Sequence, residues 1–304
     1  MRNRTVLITG ATSGIGFFTA QALMSMGARV IVTGRDEERG HEAVGELRRR
    51  AGYKQAHFFA VDHSTVGGNQ DLATRVSKEF ERIHVLVNNV GGLYNDRRES
   101  NDGYEATLAM DLVGPFALTE ALLPALRSSA PARIVNVASA AHAMWKGDPF
   151  VDLQFEESYR GFEAYARSKL LKMLWTFALA RRLEGSGVVA NALNPGMAWT
   201  TGTEGIARRS MPALQRLFWP VFRRIQRRGS AEKAAHASVV LASSPETASV
   251  TGTYFESNAK PKQPFAVDAG YQERAWDLAA ALTAQAPTAL NRRPTLEQER
   301  EQLR

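Results

Sequence analysis

Thr9-Gly10-Ala11-Thr12-Ser13-Gly14-Ile15-Gly16 stands between the apolar run Thr5–Thr9 and Ile15–Met26, a segment whose apolar residues recur at helical spacing. A strand that ends in a glycine-rich turn and opens a helix is a phosphate-binding arrangement. Gly10 permits the tight turn, Gly14 lets the backbone approach a pyrophosphate, and Gly16 allows close helix–sheet packing; the helix N-terminus adds free amides and partial positive charge. The glycines occupy relative positions one, five and seven, which departs from the usual GxGxxG spacing. A purely structural turn is the alternative. The strand before and the helix after favour nucleotide binding, with Gly10, Thr12, Ser13, Gly14, Ile15 and Gly16 as candidate cofactor contacts.

The same alternation continues outward from this turn. Strand candidates are Thr5–Thr9, Arg29–Thr33, Ala56–Val61, His84–Asn88, Arg133–Ala138 and Val188–Leu193. They are apolar almost throughout, as strands buried on both faces are. Between them, Ile15–Met26, Glu37–Arg50, Val66–Glu81, Tyr104–Leu126 and Phe162–Leu183 carry helical periodicity. Repeated strand–helix–strand units predict a single α/β domain, a doubly wound Rossmann arrangement with a parallel sheet of about seven strands and helices on both faces. No repeat or low-complexity linker divides the chain. The domain is expected over residues 1–286, and residues 287–304 read as a polar C-terminal tail.

Composition narrows the function classes. Apolar residues make up 44% and charged residues 23%, ordinary for a globular protein. Cysteine is absent, which excludes disulfides, thiolate chemistry and cysteine-ligated metals. The first residues show no signal-peptide core, and no run reaches the ~18 apolar residues of a spanning helix, so a cytoplasmic protein is the expectation. The net charge of +7 is spread along the chain apart from one arginine-rich segment. The six histidines form no cluster with metal-ligand spacing, and no metal is expected.

Two further positions carry chemistry. The second strand ends Val32-Thr33-Gly34-Arg35-Asp36, where dinucleotide folds often place an acidic residue that bonds the adenosine ribose. Gly34 offers no carboxylate to repel a phosphate, and Arg35 can grip one, which favours NADPH over NADH. Asp36 beside it argues the other way. Farther on, Tyr165-Ala166-Arg167-Ser168-Lys169 places a phenol and an ammonium one helical turn apart, on a shared face. A nearby cation favours phenolate over phenol, and a tyrosine so placed can exchange a proton with a carbonyl oxygen.

With these residues in place the chain resembles the short-chain dehydrogenase/reductase family over residues 4 to about 255. The resemblance rests on six ordered motifs: Thr9–Gly16, Asp62, Asn88-Asn89-Val90-Gly91, Ser139, Tyr165 with Lys169, and Asn194-Pro195-Gly196. It implies that Asp62 contacts adenine, that Asn89 steadies the central strand, and that Thr200 bonds the nicotinamide carboxamide. It further implies that Gly91, Tyr165, Pro195 and Gly196 border the cofactor, that Lys169 bonds the nicotinamide ribose, and that Ser139 holds the carbonyl oxygen to which Tyr165 donates a proton. His63, next to Asp62, is a candidate edge residue of the cofactor site, with a turn-forming role as the alternative; His142, near Ser139, has the same two readings. One departure stands out. The family usually carries an asparagine that holds a water of the proton relay, and the matching residue in Met110-Asp111-Leu112-Val113-Gly114 is Asp111, which brings a negative charge towards Lys169.

The stretch from Ser139 to Tyr165 is about twice the usual family gap. Together with the C-terminal extension around Ala275-Trp276-Asp277-Leu278, it resembles the retinol-dehydrogenase-like branch. The membrane-anchoring N-terminus common in its eukaryotic members is missing here, so a soluble bacterial-type relative is expected. The segment 197–229, where the family keeps its substrate lid, mixes Trp199, Phe218, Trp219 and Phe222 with seven arginines between positions 207 and 228. A lid over an apolar substrate is the favoured reading; a basic surface touching anionic membrane and a nucleic-acid or partner patch compete with it. Nothing else supports nucleic-acid binding. The expected activity is NADPH-dependent reduction of a bulky apolar ketone or aldehyde, or the reverse alcohol oxidation, with a homodimer or homotetramer as possible assemblies. The alternative is a nucleotide-binding sensor or scaffold whose catalysis Asp111 has weakened.

Overall fold

The computed structural model describes residues 1–53, 55–196, 230–262 and 268–286. The lid segment with Thr200, and the tail from residue 287, lie outside the described residues. In chain order the elements are β1 (Thr5–Ile8), α1 (Gly14–Ser25), β2 (Arg29–Gly34), α2 (Glu37–Ala51), β3 (Ala56–Ala60), α3 (Val66–Glu79) and β4 (Val85–Asn88). There follow α4 (Ala106–Ser128), β5 (Ala132–Val137), α5 (Gly161–Arg182), β6 (Val188–Leu193), α6 (Ala231–Ser243), β7 (Tyr254–Phe255), β8 (Pro261–Lys262) and α7 (Ala269–Gln285).

The strands form one sheet in the order β3-β2-β1-β4-β5-β6-β7-β8, parallel throughout except for the antiparallel β8. The expected sheet of about seven strands is therefore present, extended by a two-residue edge strand too short to carry a periodic signal. β1 pairs with β2 on one side and β4 on the other, so the winding reverses between β1 and β4. A parallel sheet opens a crevice for ligands at the carboxyl ends of the strands where that reversal falls.

Strand alternation explains why the sheet is sealed on both faces. Leu7, Ile31, Leu86 and Ile134 point into one core, while Val6, Ile8, Val30, Val32, Val85 and Val87 point into the other. Helix termini are set by local chemistry. Asp36 caps α2 by accepting from the Arg39 amide (3.0 Å), and the left-handed Gly52 (φ +63°) ends that helix. Thr65 caps α3 through the Gly68 amide (3.2 Å).

Helix α4 is the most apolar of the long described helices. By length and composition it could cross a bilayer, although Thr107, Asp111 and Pro124 interrupt its apolar run. In the fold, 78% of its most apolar window is buried against the rest of the protein. It packs on α3, α5 and α7 as a core helix.

A buried polar chain ties the glycine turn to the other side of the sheet. The Gly10 amide donates to Thr33 Oγ1 (3.3 Å), and Thr33 Oγ1 lies 2.6 Å from His63 Nε2. His63 Nδ1 lies 2.7 Å from Asn69 Oδ1, and Asn69 donates back to the His63 and Thr65 carbonyls. Burial pushes His63 down from 6.5 to about 4, with the Asn69 hydrogen bond opposing it. The unfolded chain then takes up this proton first as the pH falls. The His63 contribution is intact above pH 6.5 and is lost progressively between about 6.5 and 4, to the extent of about 3 kcal/mol. Urea titrations at several pH values should show the stability gap between wild type and His63→Gln narrowing over this interval. A gap independent of pH would remove His63 as the source.

Candidate active site

The crevice at the β1/β4 reversal is a cleft of about 790 Å³. Gly10, Thr12, Ser13, Gly14 and Ile15 line one wall, Gly34, Arg35 and Arg39 the rim, and Asp62, His63, Asn89 and Gly91 the floor and far side. All of these but Arg39 are legible in the sequence, Gly34 as the position that lacks a carboxylate. Arg39 sits on the first turn of α2, and its signal was available: three residues after the Asp36 cap, it falls beside Arg35 at the helix mouth.

The turn is shaped to take an anion. Gly10 and Gly14 have φ of +61° and +59°, a region in which other residues are strained. A Cβ on Gly16 would come within 2.6 Å of Asn89 Nδ2 and 2.8 Å of the Gly10 carbonyl, so Gly16 lies under the turn rather than in the cleft. Asn89 holds the turn in place, its Nδ2 donating to the carbonyls of Thr9 (2.9 Å) and Gly10 (3.1 Å). No acidic residue stands in the first turn of α1 to oppose a phosphate at its positive end. Asp62 accepts from the Ser64 amide (3.0 Å) and hydroxyl (2.7 Å), which fixes its carboxylate at the cleft wall. The residues present therefore fit a dinucleotide: free amides at a helix end, glycines where backbone must come close, and two arginines at the rim.

The second half of the site lies at the ends of β4, β5 and β6. Ser139 caps the short turn Ala140–Met144 through the Ala141 amide (3.2 Å), and its carbonyl accepts from His142 Nδ1 (2.6 Å). That turn packs on α5, where Ala141, Phe162, Ala166 and Tyr165 share one apolar cluster. One turn along α5 from Tyr165, the Lys169 ammonium lies 5.3 Å from the phenol ring centre. Lys169 Nζ donates to Asp111 Oδ1 (2.8 Å) and to the Val137 carbonyl (3.2 Å). Burial alone would lower the Lys169 ammonium, but the adjoining Asp111 carboxylate and Tyr165 outweigh it and hold it above its usual range.

Asp111 is fully buried on a wide π turn, Ala109–Val113, inside α4. Such an added residue re-aims a side chain at sites of this kind. Gly91 leaves room for the pair: a Cβ there would lie 2.6 Å from Lys169 Nζ and closer still to Asp111 Oδ1. Gly196 adopts φ +81°, and its amide donates to Asn194 Oδ1 (3.0 Å), while Asn194 Nδ2 reaches Glu256 on the β7–β8 edge (2.8 Å). Pro195 and Gly196 thus turn the chain out of β6 at the described edge of the site.

Two buried groups were not foreseen. Arg167 donates to the carbonyls of Val151, Asp152 and Leu153 (3.1, 2.7 and 2.6 Å) and stacks on Phe155. It pins the long connection between Ser139 and Tyr165 onto α5. Lys172 is the second; its Nζ lies 3.5 Å from Asp111 Oδ1 and donates to the Val90 carbonyl (3.2 Å). A lysine three residues beyond another reads from sequence as a solvated position, so only packing reveals it.

Fold and site together define a dinucleotide-binding oxidoreductase of alcohol and carbonyl groups. The profile of the short chain dehydrogenase family matches residues 4–210. The chain belongs to that short-chain dehydrogenase/reductase family, whose members use NAD(P) cofactors, and is a retinol-dehydrogenase-like member of it. Retinol dehydrogenase 14 of Homo sapiens is 35% identical over 299 residues, covering 93% of this chain and 87% of that protein. Polyprenol dehydrogenase of Mus musculus is 35% identical, covering 92% and 84%. Among solved structures, the RhlG/NADP active-site complex of Pseudomonas aeruginosa superposes with a TM-score of 0.68 at 28% identity, covering 90% of this chain and 97% of that one.

Proposed function

We propose that this protein reduces the carbonyl of a bulky apolar ketone or aldehyde with NADPH, or runs the reverse alcohol oxidation, using Tyr165 as proton donor. The observation that carries this reading is the placement of Tyr165 and Lys169 on one face of α5, against the Ser139 turn and beside the glycine-lined cleft. When bound, the nicotinamide supplies the hydride that reaches the carbonyl carbon. The Tyr165 hydroxyl passes its proton to the carbonyl oxygen, and the Ser139 hydroxyl donates a hydrogen bond to the same oxygen. Lys169 supplies positive charge beside the phenol as proton leaves it and, on the family resemblance, bonds the ribose. The apolar substrate class is supported by the retinol and polyprenol dehydrogenases among the relatives.

The preference for NADPH rests on Arg35 and Arg39 at the rim and on Asp36, whose carboxylate is engaged in capping α2. Arg35→Ala should weaken NADPH binding by about tenfold or more, as loss of a charge-assisted contact does, and leave NADH nearly unchanged. Titration of both nucleotides into wild type and variant checks this. Tighter wild-type binding of NADH would overturn the assignment.

A second reading, a nucleotide-binding sensor with weakened catalysis, has one observation in its favour: Asp111 draws the Lys169 ammonium to itself at 2.8 Å. NADPH binding without turnover across a panel of lipophilic aldehydes and ketones would select it.

A further inference from the structure

Lys172 is a buried cation with no part in the proton transfer itself. Lys172 and Asp111 are both fully buried, and Asp111 Oδ1 stands between two ammoniums, 2.8 Å from Lys169 Nζ and 3.5 Å from Lys172 Nζ. Carbonyl oxygens complete the shell, Val137 facing both lysines and Val90 facing Lys172. Charge counting then decides what Lys172 is for. Asp111 with Lys169 alone is a neutral pair, and a neutral pair beside Tyr165 does little to favour phenolate. A third group of charge +1 returns the cluster to a net positive charge. Both ammoniums converge on the same oxygen, Oδ1, so Lys172 shares with Lys169 the one carboxylate charge between them.

We infer that Lys172 is a positioning residue whose charge offsets Asp111, so that Lys169 keeps a net positive field at the Tyr165 phenol. This rests on the reading of Tyr165 as proton donor. Lys172 sits on α5 two turns beyond Tyr165 and acts through Asp111 and Lys169, without touching the reacting atoms. The groups facing it are Asp111 from α4, Lys169 from its own helix and His63 from the far side of the sheet. Burial and the neighbouring Lys169 bring Lys172 down from 10.5 to about 7, against the pull of Asp111. His63, held to about 4, is neutral throughout the range that matters. The cluster is therefore positive below about pH 7 and becomes neutral as the pH rises through it, so reduction should slow across that interval.

The test is a double-mutant cycle of Lys172→Met and Asp111→Asn on the full chain, read by NADPH oxidation with an aromatic aldehyde from pH 6 to 9. Lys172→Met should lower kcat at the acid end by about tenfold, the equivalent of one unit of lost preference for phenolate, and should erase the fall near neutral pH. The double variant, which restores a single uncompensated Lys169, should recover most of that loss. NADPH affinity and the unfolding midpoint report folding separately, and a purely structural Lys172 would move those while leaving the shape of the pH profile intact. An unchanged profile in Lys172→Met, or losses that simply add in the double variant, would overturn the inference. If wild type binds NADPH and reduces nothing, the proposed function fails instead. The inference is then judged on phenolate absorbance, taken as the difference between each protein and its Tyr165→Phe counterpart: an upward move of its midpoint in Lys172→Met supports it, and no move rejects it.

Discussion

Tyr165→Phe should lower kcat for carbonyl reduction by about 10²–10⁴-fold, the usual consequence of removing a positioned proton donor. The phenyl ring keeps its place in the cluster with Ala141, Phe162 and Ala166, so folding should hold. The glycine turn, Arg35, Asp62 and Asn89, which line the proposed nucleotide cleft, and Lys169 are left in place, so cofactor affinity should fall far less than kcat. Single-turnover measurement with preformed protein–NADPH complex separates these effects, because it isolates the chemical step from binding and release. A loss smaller than about tenfold would mean that another group delivers the proton. The small panel of alternatives is then Ser139 and water admitted from the cleft.

Gly91→Ala should destabilise the protein strongly. The added methyl would fall 2.6 Å from Lys169 Nζ and closer to Asp111 Oδ1, within a cluster of fully buried charges. Either the ion pair separates or the β4 connection is displaced. Parting a buried pair leaves uncompensated charge and costs about 3–5 kcal/mol. Gly92→Ala is the internal control, since its methyl would meet nothing within 4 Å. Chemical denaturation of the two variants should show a large drop for Gly91→Ala alone. Equal stability of the pair would mean that the Asp111–Lys169 contact yields without penalty, and the charge-balance argument for Lys172 would weaken with it.

What could be read along the chain was whatever depends on short range. The glycine turn, the caps and the helical spacing of Tyr165 and Lys169 are set by residues a few positions apart, and the apolar strand runs announce burial on both faces. The lid segment carries equally clear local signals, yet it falls outside the described residues. Arg167 and Lys172 went unread for the opposite reason. Each looks like an ordinary helical cation, and each is buried by partners far away in sequence. Arg167 is held by carbonyls of the connection before α5, and Lys172 by Asp111 and Val90. His63 shows the same limit: its neighbours in sequence suggest a turn, whereas Thr33 from β2 makes it a brace for the glycine loop.

From sequence alone follow the alternating α/β architecture, the phosphate-binding turn, the family and the Tyr165–Lys169 pair, because each is written in local spacing or in the order of motifs. The tertiary structure alone decided how Asp111 is used. A carboxylate near a lysine can be a surface partner, a liability or part of a balanced cluster, and the difference depends on burial and on a third charge. Those arise only when α4 and α5 pack across the ends of β4 and β5 and close Asp111, Lys169 and Lys172 away from water.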